Sequence, residues 1–166
     1  MPKPVNLILA VAHNGAIGRA GNLPWKLPQE WQYFLDKTRG GILVHGRKCQ
    51  DHHGLPLPER EVIVLSRNPA YVPPPGAKVA HGWPEGLALA QASVHPGPIW
   101  VGGGPEIYRD ALPDADRIYL TEIHADFDGD TFLPWETFTR AGFTRVLEEH
   151  PGPPGPVPYV FKVLGR

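Results

Sequence analysis

Short, continuous apolar runs that end at glycine or proline recur along the whole of this 166-residue chain. Runs of this kind are typical of β-strands that are buried on both faces. Segments with helical composition alternate with them, which favours an α/β sheet with parallel crossovers. We predict strands at residues 5–12, 41–45, 61–66, 98–102, 117–123, 143–148 and 157–164, and a weaker one at 77–80.

The predicted helices cover residues 28–38, 84–93 and 105–112, and each opens with a proline, which suits the first helical turn. The last two strands are joined by the Pro- and Gly-rich segment 151–156, which predicts a loop in an antiparallel hairpin. We therefore expect a single domain over residues 1–166 with an α/β fold. Its central, mostly parallel eight-stranded sheet would carry an antiparallel C-terminal hairpin and be flanked by about four helices.

Charge and cysteine usage exclude several classes of function. The formal net charge is -1 and the pI is about 6.7, which argues against a nucleic-acid binder or a polybasic membrane contact. A single cysteine rules out a disulfide framework and fits a reducing compartment. No stretch approaches the roughly 20 apolar residues that span a membrane. The apolar run at 7–12 is too short for a signal peptide. We expect a cytoplasmic protein.

A glutamate lies on the apolar face of the first predicted helix. Leu27, Trp31, Phe34 and Thr38 recur at helical spacing, and Glu30 belongs to the same face. Burial raises the pKa of a carboxyl group unless a cation pairs with it, and a protonated heterocycle would be such a partner. The alternative is an ordinary first-turn glutamate favoured by the helix dipole.

The segment that precedes this helix, residues 17–25, contains two glycines and ends in Leu-Pro-Trp. A glycine-bearing loop that leads straight into a helix is suited to a mobile lid. An ordinary strand-to-helix connection is the alternative reading.

Two further features suit a phosphate-bearing ligand. The glycine turn at 102–104 follows an apolar strand and opens a helix, although it lacks the spacing of the dinucleotide-binding fingerprint. Arg47, Lys48 and Arg67 follow strand ends, where they could bind the ribose 2′-phosphate that distinguishes NADP from NAD. A plain turn and three solvated surface cations remain the alternatives.

His45, Cys49, Asp51, His52 and His53 are close in sequence, but their spacing matches no closed zinc pattern, and we expect no metal. Cys49 has no clear base beside it, which argues against a nucleophilic role.

Several short motifs occur in a fixed order along the chain: I-G-x-x-x-x-L-P-W at 17–25, L-P-x-E-x-x-x-F at 27–34, G-R at 46–47, L-P-x-R at 57–60, L-S-R at 65–67, G-G-x-E-I-Y at 103–108, Y-L-T-x-I at 119–123 and D-G-D-T-F-x-P at 128–134. In this order and spacing they resemble the dihydrofolate reductases over nearly the whole chain. The resemblance implies NADPH-dependent reduction of 7,8-dihydrofolate to 5,6,7,8-tetrahydrofolate, in support of one-carbon and thymidylate metabolism. It also implies a monomer and a target for antifolates.

On this resemblance, the pteridine end of the site centres on Glu30, which would hydrogen-bond the pteridine 2-amino group and N3. Thr121 would support this carboxylate through its hydroxyl and a water, and Arg60 would hold the glutamate α-carboxylate. The remaining residues implied here supply a carbonyl to the pteridine (Ile8), flank the aminobenzoyl ring (Phe34 and Leu57) or form the lid (Leu23 and Trp25). Catalysis is expected to depend on Glu30, Leu23, Trp25 and Thr121.

The resemblance also implies an NADPH site. Its residues would line the nicotinamide–ribose end (Ala10, Ile17 and Asn22), form a cis glycine pair (Gly103 and Gly104), meet the adenosine ribose phosphate (Arg47, Lys48, Ser66 and Arg67), or make other contacts (Gly46, Cys49, Leu65, Ile107, Tyr108 and Thr131).

Some positions depart from the family pattern. Cys49 and Gln50 replace a threonine and a large aromatic residue, and Gly102 replaces a common apolar residue. His52 and His53 stand where small polar and aliphatic residues are usual, and His53 would border the aminobenzoyl ring. We expect this change to alter affinity for the substrate tail and for inhibitors.

Two other functions are alternatives to this one. A related pyrimidine reductase of riboflavin synthesis shares the fold and NADPH, but the L-P-W lid and the Glu30 helix suit a pteridine. A non-catalytic NADPH- or folate-binding module is disfavoured by intact Glu30, Arg60 and Thr121.

Overall fold

A computed structural model describes residues 2–19 and 23–166. The strands, in chain order, are β1 (Val5–Ala12), β2 (Ala16–Gly18), β3 (Ile42–Gly46), β4 (Glu61–Leu65), β5 (Ala77–Ala80), β6 (Ile99–Val101), β7 (Arg117–Ile123), β8 (Thr131–Phe132), β9 (Arg145–Pro151) and β10 (Tyr159–Gly165). The helices are α1 (Pro28–Thr38), α2 (Arg47–His53), α3 (Trp83–Ala92), α4 (Pro105–Ala111) and α5 (Glu136–Arg140), and a 3-10 turn covers Leu112–Asp114.

Eight of the described strands form one sheet in the order β5-β4-β3-β6-β1-β7-β10-β9. Pairing is parallel from β5 through β7, whereas β10 runs antiparallel to both β7 and β9. The predicted α/β fold with an antiparallel C-terminal hairpin is confirmed. A separate small pair, β2 with β8, also forms.

The described residues contain five α-helices where about four were expected. The helices α2 and α5 are short, with seven and five residues, and neither opens with the proline that marks the three predicted helices. The last hairpin also extends further than predicted, because β9 continues to Pro151 and the Gly152 amide donates to the Tyr159 carbonyl.

The core lies along the centre of the sheet. All eight residues of β1 are buried, as its apolar run predicts, and Asn6 is the one polar residue among them. The helix α3 approaches β4 so closely that a Cβ at Gly86 would lie 2.7 Å from the Leu65 Cδ2 atom. Glycine at this position therefore permits the helix to pack directly on the strand.

Two consequences of this topology position the candidate site. The parallel strands β4, β3 and β6 are adjacent, so the segments after Leu65, Gly46 and Val101 lie at the same edge of the sheet. The strands β1 and β7 run side by side, with Ala10 opposite Thr121.

Candidate active site

Glu30 is a buried carboxyl group in the first turn of α1. Its side chain is 6% exposed, and it shares a hydrogen bond with the hydroxyl of Thr121, which is 1% exposed on β7. Burial raises the pKa of Glu30 from 4.5 to about 7, while the hydrogen bond from Thr121 opposes that rise. The apolar-face prediction for Glu30 is therefore correct. Near neutral pH the group exists both as a carboxylate and as a carboxylic acid.

The strand β1 lies beside β7, the strand that carries Thr121. The backbone carbonyl of Ile8 accepts a 2.8 Å hydrogen bond from the hydroxyl of Tyr108, whose pKa is raised by burial. Ile8 packs in one hydrophobic cluster with Phe34 and Leu57. Three residues expected at the substrate are thus brought together from β1, α1 and the segment after α2.

Arg60 is fixed against the C-terminal end of α1. Its Nε donates to the Thr38 Oγ1 atom at 2.8 Å, and its two Nη atoms donate to the carbonyls of Leu35 and Pro58. A guanidinium has five N–H groups, so donors remain beyond those three. The helix that carries Glu30 near its start therefore holds a cation near its end, an arrangement suited to an elongated ligand with an acidic tail.

Two lid residues differ in their environment. Trp25 is buried and contacts Phe127 edge-to-face, with ring centroids 5.5 Å apart, whereas Leu23 is 40% exposed. The indole N–H of Trp25 is buried without a protein hydrogen-bond partner among the described residues. Trp25 and Ala10 belong to the same apolar cluster. Asn22, also assigned to the nicotinamide–ribose end, lies outside the described residues.

An aromatic rim connects α1 to α2. The Trp31 ring stacks on Phe34 and on His53, with centroids 5.0 and 5.5 Å apart, and His53 in turn stacks on His45. Burial, followed by the neighbouring His45 and His52, lowers the pKa of His53 to about 4, so its ring is neutral at pH 7. Burial also lowers the pKa of His45.

Trp31 was not among the site residues named from the sequence. Its position one residue after Glu30, on the face shared with Phe34, is the signal that could have identified it.

The glycine turn after β6 contains a cis peptide bond between Gly103 and Gly104, at the pair that the resemblance indicates. The Gly46 amide donates to the Gly103 carbonyl at 2.9 Å, which connects the ends of β3 and β6. A Cβ at Gly103 would lie 2.8 Å from Cys49 Sγ, whereas a Cβ at Gly104 would meet nothing within 4 Å. Gly104 therefore faces open space. Burial raises the pKa of the Cys49 thiol.

The predicted cations lie at the same edge of the sheet. Arg47 pairs with Asp51 at 2.9 Å, and Arg67 pairs with Glu106 at 2.7 Å. Ser66, which follows β4 directly and precedes Arg67, is buried. The other residues assigned to the cofactor are buried (Leu65 and Tyr108), half-buried (Ile17, Ile107 and Thr131) or exposed (Lys48). Thr131 donates to Asp130 Oδ1 at 2.9 Å.

The described residues show neither a metal-binding cluster nor a membrane-spanning helix. They contain no group of three or more His, Cys, Asp or Glu side chains placed to hold a metal ion. No helix within them is long and apolar enough to cross a membrane.

The chain matches the family model described as dihydrofolate reductase over residues 4–165. It is 41% identical over 143 residues to dihydrofolate reductase type 3 of Salmonella typhimurium, covering 82% of this chain and 86% of that protein. It is 40% identical over 140 residues to the dihydrofolate reductase of Enterococcus faecium, covering 84% and 81% respectively. Among solved structures, it resembles dihydrofolate reductase from Enterococcus faecalis complexed with NADP(H) and RAB-propyl, with a TM-score of 0.87, 33% identity, and coverage of 98% and 96%.

Proposed function

The chain belongs to the dihydrofolate reductase family, and we propose that its Glu30 pocket carries out the NADPH-dependent reduction of 7,8-dihydrofolate to 5,6,7,8-tetrahydrofolate. The observation that carries this assignment is the buried Glu30 carboxyl beside Thr121, with its pKa raised to about 7. Such a group can accept hydrogen bonds from the 2-amino group and N3 of a pteridine. The product supports one-carbon and thymidylate metabolism.

The chemical task of Glu30 is to stabilise a substrate that is protonated at N5. In a dry pocket its negative charge favours the cationic form of the pteridine, and Thr121 keeps the carboxylate oriented. We assign the delivery of the proton itself to water. Leu23 and Trp25 limit the access of bulk water when the lid closes, and the opening of the lid can limit turnover.

The residues that follow the carboxyl ends of β3, β4 and β6, here called the carboxyl edge of the sheet, are suited to binding NADPH. Arg47, Lys48 and Arg67 are cationic groups of the kind that bind a ribose 2′-phosphate, and Gly104 leaves open space beside the backbone. When bound, the nicotinamide supplies the hydride that is transferred to C6. We assign the nicotinamide–ribose end to Ala10 and Ile17, and the remaining contacts to Gly46, Cys49, Leu65, Ser66, Gly103, Ile107, Tyr108 and Thr131.

The function is tested by following the near-ultraviolet absorbance of NADPH in the presence of dihydrofolate. Loss of absorbance that requires dihydrofolate is expected. Tight binding of both ligands without any loss would indicate a non-catalytic binding module. Oxidation of NADPH with the riboflavin-pathway pyrimidine, and not with dihydrofolate, would indicate the pyrimidine reductase.

We expect Arg60→Lys to raise the KM for dihydrofolate by about tenfold or more and to change kcat by less than about twofold. A lysine cannot form the two parallel hydrogen bonds that a guanidinium makes with the glutamate α-carboxylate. The KM for a tailless 6-methyl dihydropterin should stay within about twofold of the wild-type value. Steady-state kinetics on both substrates measure this.

Arg39→Lys is the matched control, because Arg39 is exposed and pairs with Asp36 and Glu59 at the end of the same helix. An equal rise in KM for tailed and tailless substrates would contradict the assignment of Arg60 to the tail.

We also propose that the protein acts as a cytoplasmic monomer with a single catalytic domain. The single cysteine and the near-neutral net charge support this compartment, and one sheet that contains both the first and the last described strands supports a single domain.

A further inference from the structure

Both arginines at the carboxyl edge of the sheet are already paired with carboxylates. The Nη2 atom of Arg67 lies 2.7 Å from Glu106 Oε2, and the Nη1 atom of Arg47 lies 2.9 Å from Asp51 Oδ2. The two pairs differ in the element that supplies the carboxylate. Asp51 lies four residues after Arg47 on α2, whereas Glu106 reaches Arg67 from the first turn of α4. Glu106 therefore contributes a negative charge from a different element.

These groups converge because of the strand order. The parallel pairing of β3 with β4 sets Gly46 opposite Leu65, which brings Arg47 and Arg67 to one edge. The glycine turn after β6 joins them there through the hydrogen bond between Gly46 and Gly103. The start of α4, with Glu106, follows directly from that turn.

The charge at this edge is small for a site that binds a phosphate dianion. Arg47, Lys48 and Arg67 supply three positive charges, and Asp51 and Glu106 cancel two of them. Within residues 2–19 and 23–166, Lys48 forms no ion pair. The Arg67–Glu106 pair is largely exposed, with side chains 81% and 67% accessible, so it contributes little to folding and can exchange partners.

We propose that Glu106 is a specificity-determining residue that weakens binding of the cofactor 2′-phosphate and so reduces the preference for NADPH over NADH. This inference rests on the proposed function for the location of the phosphate. Glu106 forms an ion pair with the guanidinium of Arg67, and its negative charge repels the incoming phosphate dianion. Two anions that contact one guanidinium lie within roughly 6 Å of each other, and their repulsion at physiological salt corresponds to about a fivefold change in affinity.

The test is Glu106→Gln, which removes the charge and keeps the size of the side chain. The probes are 2′,5′-ADP against 5′-AMP and NADP⁺ against NAD⁺, with each Kd measured by isothermal titration calorimetry. Glu106→Gln should tighten binding of the ligands that carry the 2′-phosphate by about fivefold and leave the other two within about twofold. The gain should shrink as salt is raised, because the charges are exposed.

Glu136→Gln is the matched control, since Glu136 is an exposed first-turn glutamate on α5 and the variant has the same net charge. It should change none of the four affinities by more than about twofold. Arg67→Gln is the second variant, and it should weaken 2′,5′-ADP binding without weakening 5′-AMP binding.

The proposal would be overturned if Glu106→Gln tightened the binding of both kinds of ligand equally or changed the affinity for neither. It would also be overturned if Glu136→Gln gave the same gain in affinity. These outcomes are independent of catalysis. If NADPH were not oxidised with dihydrofolate, the proposed function would fail, while a selective gain for 2′,5′-ADP would still support the role of Glu106.

Discussion

Glu30→Gln is expected to lower kcat for dihydrofolate reduction at pH 7 by about a hundredfold or more, with only a modest loss of NADPH affinity. Glutamine keeps the size of the side chain and one accepting oxygen beside Thr121 but cannot carry a negative charge. The pocket would then no longer favour the substrate protonated at N5. Single-turnover kinetics measure the chemical step directly.

The pH dependence of this variant distinguishes a charge effect from a packing effect. At lower pH the solvent itself protonates more of the substrate, so the deficit of Glu30→Gln should shrink as the pH is lowered. Asp36→Asn on the exposed face of the same helix is the matched control and should keep near-normal turnover. Near-normal turnover of Glu30→Gln at pH 7 would contradict the role of Glu30.

The same substitution is expected to stabilise the ligand-free protein at alkaline pH. The folded-state pKa of Glu30, about 7, is higher than the unfolded value near 4.5, so the folded protein binds the additional proton between these values. The free energy of unfolding of the wild type therefore falls as pH rises from 4.5 through 7. By about pH 8, ionisation of the buried carboxyl group has lowered the free energy of unfolding by about 3 kcal/mol, and glutamine avoids this loss.

Urea denaturation of both proteins tests this expectation. The free energy of unfolding of Glu30→Gln should exceed that of the wild type by about 3 kcal/mol at about pH 8 and by less than about 1 kcal/mol at about pH 5. Glu148→Gln, on the exposed strand β9, should show no comparable dependence on pH. A stability difference of the same size at both pH values would indicate altered packing in place of a buried charge.

Local patterns predicted the features that depend on local sequence. The apolar run at 5–12, which only Asn6 interrupts, predicts a strand buried on both faces, because only a central strand removes such a surface from water, and β1 is that strand. Glu30 was predicted to be buried because it shares a helix face with Phe34 and Thr38. The order of the family motifs then gave the site residues their expected roles.

Contacts between distant elements could not be predicted in this way. The pairing of Arg67 with Glu106 depends on how α4 leaves the glycine turn, and the stacking of Trp31 on His53 depends on the spacing of α1 and α2. Neither distance follows from a period of 2 or 3.6 residues. The helix α2 was not predicted, because only Gln50 of its seven residues is buried and its sequence therefore shows no apolar face.

The transfer of a hydride from NADPH to C6 of dihydrofolate can be followed with deuterium. NADPH carrying deuterium at both C4 positions of the nicotinamide is incubated with the enzyme and 7,8-dihydrofolate, and the product is examined by mass spectrometry and NMR. Tetrahydrofolate with one deuterium at C6 is expected, together with NADP⁺ that retains the other deuterium. Product without deuterium at C6, or NADPH that is not consumed, would contradict this expectation.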